Sequence, residues 1–108
     1  MREYILCAAI WVDTGKADPP RRTYSYPKPG IVFCGWRHCD CFVALEAWAQ
    51  RLTAEERMRV GEEQLAGRNQ GFLTSRGRYV NRQEAMTIAR AAEQTASKST
   101  DLFSEDIY

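Results

Sequence analysis

The residues best suited to chemistry in this sequence are arginines that crowd the predicted start of a helix. Asn81 is a good N-cap, and Glu84 three residues later completes a capping box. Arg76, Arg78 and Arg82 surround this helix start. A helix N-terminus favours anions, and guanidinium groups bind phosphate well. The pattern therefore indicates a phosphate site, although a capped helix with solvated arginines explains the same residues.

Aromatic residues and a histidine accompany the arginines. Phe72 and Tyr79 are close to them in sequence and offer faces on which a base could stack. Arg37 and His38 directly precede a second predicted helix, where they could form another anion clamp. A lone histidine more often packs or caps than reacts, so both interpretations of His38 stay open. No phosphate-binding loop or nucleophile elbow occurs, and we predict a binding protein instead of an enzyme.

Strands and helices must position these side chains. Residues 3–12 form a nearly continuous apolar run, typical of a central strand, and residues 30–35 form a shorter run bounded by glycines. A helix with apolar residues at three- and four-residue spacing follows, with Asp40 as its N-cap or as an acid of its first turn. We predict an α+β fold, in which a small antiparallel sheet packs against two main helices in a single domain, residues 1–108.

The remaining segments connect these elements. Thr53 and Glu56 form another capping box, so the chain after them is either a separate short helix or a bent continuation. Residues 17–30 hold all four prolines and are predicted to form a proline-rich loop, with a short strand around residues 23–26 as an option. Residues 93–100 are interpreted as a linker to residues 101–108, a terminal segment too apolar to be a free tail.

Charge and cysteine content exclude several classes of function. The net charge of +1 disfavours nucleic acid and membrane surfaces as partners bound by bulk electrostatics. No membrane-spanning run or signal peptide is evident, so we expect a cytoplasmic protein whose four cysteines are reduced. Cys34, Cys39 and Cys41 lie close to His38 but lack the paired spacing of zinc knuckles. We predict no metal and no cofactor.

Three pieces of the sequence together resemble a known family. They are the Arg37-His38 pair, the block GFLTS…GRYVNRQEA in residues 71–85, and the ending LFSEDIY in residues 102–108. These pieces are similar to the anti-Thoeris sponges of phages, the first type of Thoeris anti-defence protein. That family captures cyclic ADP-ribose isomers, the signals of Thoeris TIR enzymes, without degrading them. Some members also bind the cyclic oligonucleotides of CBASS systems, including cyclic trinucleotides, at separate sites.

The resemblance implies a non-catalytic sponge that sequesters such signals in the host bacterial cytoplasm and so blocks anti-phage immunity. It also implies a homo-oligomer, with dimers that associate into hexamers and pockets at the subunit interfaces. The implied ligand-binding residues are Phe72, Asn81, Arg37, His38, Thr74, Arg78, Tyr79 and Arg82. In this set, Phe72 would stack on the adenine. Asn81 would contact the ligand or cap its helix, and the arginines would bind the pyrophosphate.

Two departures and two other functions accompany this interpretation. Cys39 stands where the family often has a second histidine, and the insert at residues 17–30 is unlike a compact hairpin.

One alternative is a hydrolase of the same nucleotide, with His38 as general acid or base. The other is an oligomeric regulator that uses its arginine patch on nucleic acid or on an acidic protein surface.

Overall fold

The computed structural model describes residues 2–13 and 30–107, which form an α+β fold. Four antiparallel strands make one sheet in the order β2-β1-β3-β4. The strands are β1 (Ile5–Val12), β2 (Ile31–Gly35), β3 (Asn69–Thr74) and β4 (Tyr79–Asn81). The helices are α1 (His38–Ala49), α2 (Ala54–Val60), α3 (Glu62–Leu65) and α4 (Arg82–Ala91). The predicted α+β class and antiparallel sheet are confirmed, whereas the oligomeric state stays a prediction.

The apolar strand β1 is central in the sheet, as its composition predicts. It pairs with both neighbours, so that Ala8 lies opposite Gly35 on β2 and Phe72 on β3. Ala8, Ile10 and Val12 are fully buried on one face, because alternate side chains of a strand point the same way. The two longest helices, α1 and α4, complete the core over this face with Cys41, Leu45, Ala85, Met86 and Ala89.

Polar side chains define where α1 and α2 begin. The amide of Arg37 donates to Asp40 Oδ2 at 3.1 Å, so Asp40 is the acid of the first turn of α1 and not its N-cap. Thr53 and Glu56 cap α2 reciprocally, as predicted. Gly61, at φ 92°, ends α2 and precedes α3. The chain after Thr53 therefore forms separate short helices instead of continuing α1.

A hairpin of β3 and β4 leads directly into α4. Gly77 takes a φ of 75° in the connecting turn, a value that glycine adopts without strain. Asn81 Oδ1 then accepts the Glu84 amide at 2.8 Å, and Glu84 Oε1 accepts the Asn81 amide at 3.3 Å. This reciprocal pair confirms the predicted capping box and fixes where α4 begins.

The C-terminal residues return to the start of α4. The amide of Leu102 donates to the Arg82 carbonyl at 3.0 Å, and the Leu102 side chain is fully buried in the core. Residues Ser104–Asp106 then form a 3₁₀ turn. Arg90 on α4 donates hydrogen bonds to the carbonyls of Ser97 and Ser99. These bonds hold the predicted linker, residues 93–100, against the helix.

Two sequence predictions concern residues that the structure does not describe. The proline-rich loop 17–30, with its optional strand, lies outside the described residues except for Gly30, and so does Tyr108. Among the helices of the two described ranges, none combines the length and the apolar character needed to cross a membrane.

Candidate functional site

A cleft with a volume of about 550 Å³ lies at the N-terminal end of α4 and opens to solvent. Three parts of the chain converge on it: the start of β3, the junction of β4 with α4, and the segment before the 3₁₀ turn. The described residues that line it are polar or charged, namely Arg68, Gln70, Asn81, Arg82, Gln83 and Asp101. Cavities of roughly 300–1,000 Å³ are typical of small-molecule sites.

Arg82 is held in a defined position beside this cleft. Its Nη1 donates to the Leu102 carbonyl and its Nη2 donates to Gln70 Oε1, both at 2.8 Å. The guanidinium carbon lies 4.5 Å from the centre of the Phe103 ring, which is cation–π geometry. Burial lowers the pKa of Arg82, but an arginine remains charged at neutral pH. A guanidinium has five N–H donors, so those not directed at Gln70 and Leu102 can serve a ligand.

Arg68 supplies a second guanidinium to the cleft. It forms an ion pair with Glu63 at 2.6 Å, in which the two side chains are 63% and 77% exposed. Exposed pairs of this kind contribute little to stability because water screens them. An incoming phosphate can therefore displace Glu63 from Arg68 at small cost.

The start of α4 adds the positive end of a helix dipole. This helix has ten residues, enough for its N-terminus to favour an anion in the cleft. The Asn81 side chain caps the helix through the Glu84 amide. Of the two roles predicted for Asn81, the structure shows the capping one, with the side chain at the wall of the cleft.

Asp101 lines the same cleft. Its Oδ1 is buried and has no hydrogen-bond partner among the described residues. The carboxylate acts to raise the pKa of Arg82, so the two groups attract each other. The residues that line the cleft thus include two arginines and an aspartate whose buried Oδ1 has no hydrogen-bond partner among the described residues.

Phe72 does not line this cleft, and its predicted stacking role needs correction. Its ring is fully buried in the core and meets the imidazole of His38 edge-on, with 5.1 Å between ring centres. Phe72 lies opposite Ala8 in β1, so its side chain points to the core face of the sheet. An adenine has no access to this ring in the folded protomer.

His38 is likewise a buried structural group. Its ring nitrogens lie 2.6 Å from Ser104 Oγ and 2.8 Å from the Gly71 carbonyl oxygen. Because a carbonyl only accepts, we assign the proton to Nε2, which leaves Nδ1 to accept from the Ser104 hydroxyl. Burial lowers the pKa of His38, which favours this neutral form. The predicted anion clamp of Arg37 and His38 therefore lacks its histidine.

Thr74 and Arg78 bind an acidic side chain of this chain instead of lining the cleft. Arg78 holds Glu3 through two hydrogen bonds of 2.8 Å, and Thr74 Oγ1 donates to the same carboxylate at 2.6 Å. The hydrogen bond from Arg78 is the largest cause that lowers the pKa of Glu3 to about 2. Thr74 and Arg78 lie at the turn end of the hairpin, whereas Asn81 is the last residue of β4. The Glu3 carboxylate therefore competes with a phosphate for Arg78.

Tyr79 lies on the sheet face opposite the core, because its neighbour Val80 points inward. Its ring packs 6.0 Å from that of Trp11, and its hydroxyl donates to the Asn69 carbonyl at 3.0 Å. A Cβ on Gly71 would lie 2.7 Å from the Tyr79 ring, so glycine there makes room for the aromatic ring. Burial raises the pKa of Tyr79 to about 12.

The predicted site residues thus divide between several places. Asn81 and Arg82 share the cleft, and His38 contacts Phe72 in the core. Arg37 is exposed at the start of α1 and is not among the cleft-lining residues.

The sequence profile of the family described as Phage T4 y16D protein matches residues 4–108. The chain belongs to the phage T4 y16D protein family. The match extends from the residue before β1 to the last residue of the chain, so it covers every element described above. No curated protein matches the chain. No solved structure matches it either.

The y16D family match supports a phage protein, as the resemblance implied. Sequence reasoning missed four residues that line the cleft in this family member: Arg68, Gln70, Gln83 and Asp101. Their positions gave one usable signal, since Asp101 opens the terminal segment 101–108 that is too apolar to be a free tail. Gln83 lies within the block GRYVNRQEA, whereas Arg68 and Gln70 lie outside the motifs described above, and only the folded chain brings these residues together.

Proposed function

We propose that this phage protein binds and sequesters a cyclic ADP-ribose-type signalling nucleotide in the host cytoplasm, without turning it over, and thereby blocks an anti-phage response. The observation that carries the proposal is the cleft of about 550 Å³ at the start of α4, where Arg68 and Arg82 face one space. Two guanidiniums and a helix N-terminus are well suited to a pyrophosphate. The resemblance to the anti-Thoeris sponges supports the ligand class.

A stack of Arg82 on Phe103 can supply the flat surface for the base. Phe103 is 42% exposed, whereas Phe72 is fully buried. The guanidinium of Arg82 is held in place because it packs over the Phe103 ring and donates a hydrogen bond to Gln70. Bases stack on aromatic rings and on arginine planes, so the two residues together can take over the role first given to Phe72.

The burial and hydrogen bonding of His38 support sequestration without turnover. His38 is 9% exposed, and both of its ring nitrogens are hydrogen-bonded inside the fold. A general base needs to reach the proton it abstracts, and this imidazole has no path to a ligand in the cleft. Hydrolysis by His38 is therefore the less favoured of the two nucleotide functions.

A second copy of the chain is proposed to complete the cleft, which is open to solvent in one protomer. Large apolar side chains also remain exposed on α1 and just before it, with Trp36 64% and Val43 69% exposed. Apolar surface of this kind often marks an interface between subunits. Mass measurement of the protein with and without ligand tests this assembly.

The direct test is recovery of the ligand. The protein is incubated with cyclic ADP-ribose, or with a cyclic trinucleotide as a second probe, separated from free ligand and then denatured. Intact cyclic ADP-ribose recovered in near-stoichiometric amount supports the proposal. A hydrolysed product, or no retained nucleotide, would refute it.

A pair of arginine variants locates the binding in the cleft. Arg68→Ala removes a guanidinium whose side-chain partner among the described residues is the exposed Glu63, so the fold should stay intact. We expect its affinity to fall roughly tenfold or more, the value of one charge-assisted contact. Arg59→Ala, which removes an exposed arginine of α2, is the matched control and should bind like the wild type. Equal affinity of both variants would place the ligand elsewhere.

A further inference from the structure

The carboxylate of Asp101 is the feature of the cleft that a phosphate ligand alone does not explain. Its Oδ1 is buried without a hydrogen-bond partner among the described residues, and the residue lines the cleft. Buried polar atoms are nearly always hydrogen-bonded, and a carboxylate oxygen can only accept. We propose that Asp101 is a specificity residue, which accepts a hydrogen bond from a neutral donor of the bound nucleotide, a ribose hydroxyl or an exocyclic amine. This inference rests on the proposed function.

The backbone holds Asp101 in place for this role. The next residue, Leu102, is fully buried, and its amide donates to the Arg82 carbonyl at 3.0 Å. The Leu102 carbonyl in turn accepts from the Arg82 guanidinium at 2.8 Å. Two hydrogen bonds with the first residue of α4 therefore fix the chain beside Asp101. A preorganised acceptor of this kind discriminates between ligands, because binding needs no additional free energy to order it.

Charge determines which part of the ligand Asp101 meets. A phosphate placed against this carboxylate would be repelled, whereas the guanidiniums of Arg68 and Arg82 attract it. The ligand must therefore be bipolar, with its anionic groups at the arginines and a neutral donor at Asp101. Inorganic phosphate and pyrophosphate satisfy the first requirement only. A nucleotide satisfies both, since its sugar and base carry donors at a distance from the phosphates.

Ligand analogues test this with the wild-type chain, so folding of a variant is not at issue. Calorimetry would compare cyclic ADP-ribose with analogues that lack a ribose hydroxyl and with the analogue that carries hypoxanthine in place of adenine. We expect one kind of analogue to bind about 10- to 100-fold more weakly, the value of a hydrogen bond to a charged acceptor. The analogue that loses affinity identifies the donor as hydroxyl or amine.

Variants then connect that preference to Asp101. In Asp101→Ala the discrimination between parent and analogue should disappear, because neither ligand finds an acceptor there. Glu55→Ala, which removes an exposed carboxylate of α2 that does not line the cleft, should keep it. Asp101→Asn should bind pyrophosphate at least as well as the wild type, since a repulsive charge is removed.

The outcomes separate this inference from the proposed function. If the wild type binds cyclic ADP-ribose and all analogues equally, or if Asp101→Ala retains the discrimination, the role of Asp101 is refuted while sequestration stands. If the wild type binds none of these nucleotides, both the proposed function and the role of Asp101 are refuted.

Discussion

The hydroxyl of Ser104 lies 2.6 Å from Nδ1 of His38 and ties the C-terminal segment to the first residue of α1. The same hydroxyl oxygen accepts the His38 backbone amide at 3.2 Å, while the far side of the imidazole bonds to Gly71 in β3. One buried side chain thereby joins three parts of the chain. Because Asp101 and Leu102 belong to the segment that Ser104 anchors, this arrangement also positions one wall of the cleft.

Ser104→Ala should destabilise the fold. The substitution leaves Nδ1 and the amide of His38 buried without their partner, which costs about 1–3 kcal/mol. Denaturant unfolding measures the change in the free energy of unfolding. Glu105→Gln, an exposed position in the same 3₁₀ turn, is the control and should change it little. A Ser104→Ala protein as stable as the wild type would show that this hydrogen bond is dispensable.

Stability should fall as the pH drops below the ordinary pKa of histidine, 6.5. Burial lowers the pKa of folded His38, so the unfolded chain binds more protons between the two pKa values. The stabilisation is complete above pH 6.5 and is lost on acidification, with a slope of at most about 1.4 kcal/mol per pH unit. The sequence contains one histidine, so His38→Gln should abolish this slope between about pH 6.5 and 5.5. Persistence of the slope in that variant would assign it to another group.

Phe72→Ala should act on the core and not on a ligand contact. The ring is fully buried, and truncation of a buried phenylalanine costs about 3–5 kcal/mol. Phe72→Leu keeps most of the apolar volume and should lose much less stability. We expect the leucine variant to retain nucleotide binding when binding is measured below its unfolding temperature. Full stability of the alanine variant together with lost binding would restore the stacking role.

Cys7 should react at a lower pH than an ordinary thiol. A hydrogen bond from the Cys34 thiol on the neighbouring strand lowers the pKa of Cys7 below the ordinary value of a thiol. Alkylation by iodoacetamide, mapped by peptide mass, should therefore show a midpoint at Cys7 below the ordinary value of 9.0. Burial raises the pKa of Cys41 to about 12, so its peptide should stay unmodified.

Removal of the partner thiol tests the cause of this reactivity. In Cys34→Ala the midpoint of Cys7 alkylation should move up toward its ordinary value of 9.0. Cys39→Ala, at an exposed position of α1, serves as the control and should leave it unchanged. An unchanged midpoint in Cys34→Ala would mean that another group lowers the pKa of Cys7.

Local patterns predicted the elements well where adjacent residues determine them. The capping boxes at Thr53 and Asn81 form as expected, because each depends on side chains three residues apart. The central place of β1 follows from its apolar composition. Asp40 shows the limit of such patterns, since either of two positions near a helix start suits an aspartate.

The candidate site was predicted less well, because sequence spacing does not say which way a strand residue points. Phe72 and Tyr79 are both aromatic residues of one hairpin, yet the first lies in the core and the second packs on Trp11 on the other face. Arg78 and Arg82 are both arginines near one helix start. Glu3, from the N-terminal end of the chain, binds the first, and the C-terminal segment binds the second.

By itself, then, the sequence determined the α+β class, the antiparallel sheet and the place where α4 begins, since composition and short-range capping specify these. The tertiary structure alone decided that Phe72 and His38 are interior groups and that Arg68, Arg82 and Asp101 share a cleft. Arg68 meets Arg82 because β3 pairs with β4, and Asp101 meets Arg82 because Leu102 is buried beside Arg82. Long-range packing, which no local pattern encodes, assembles the cleft.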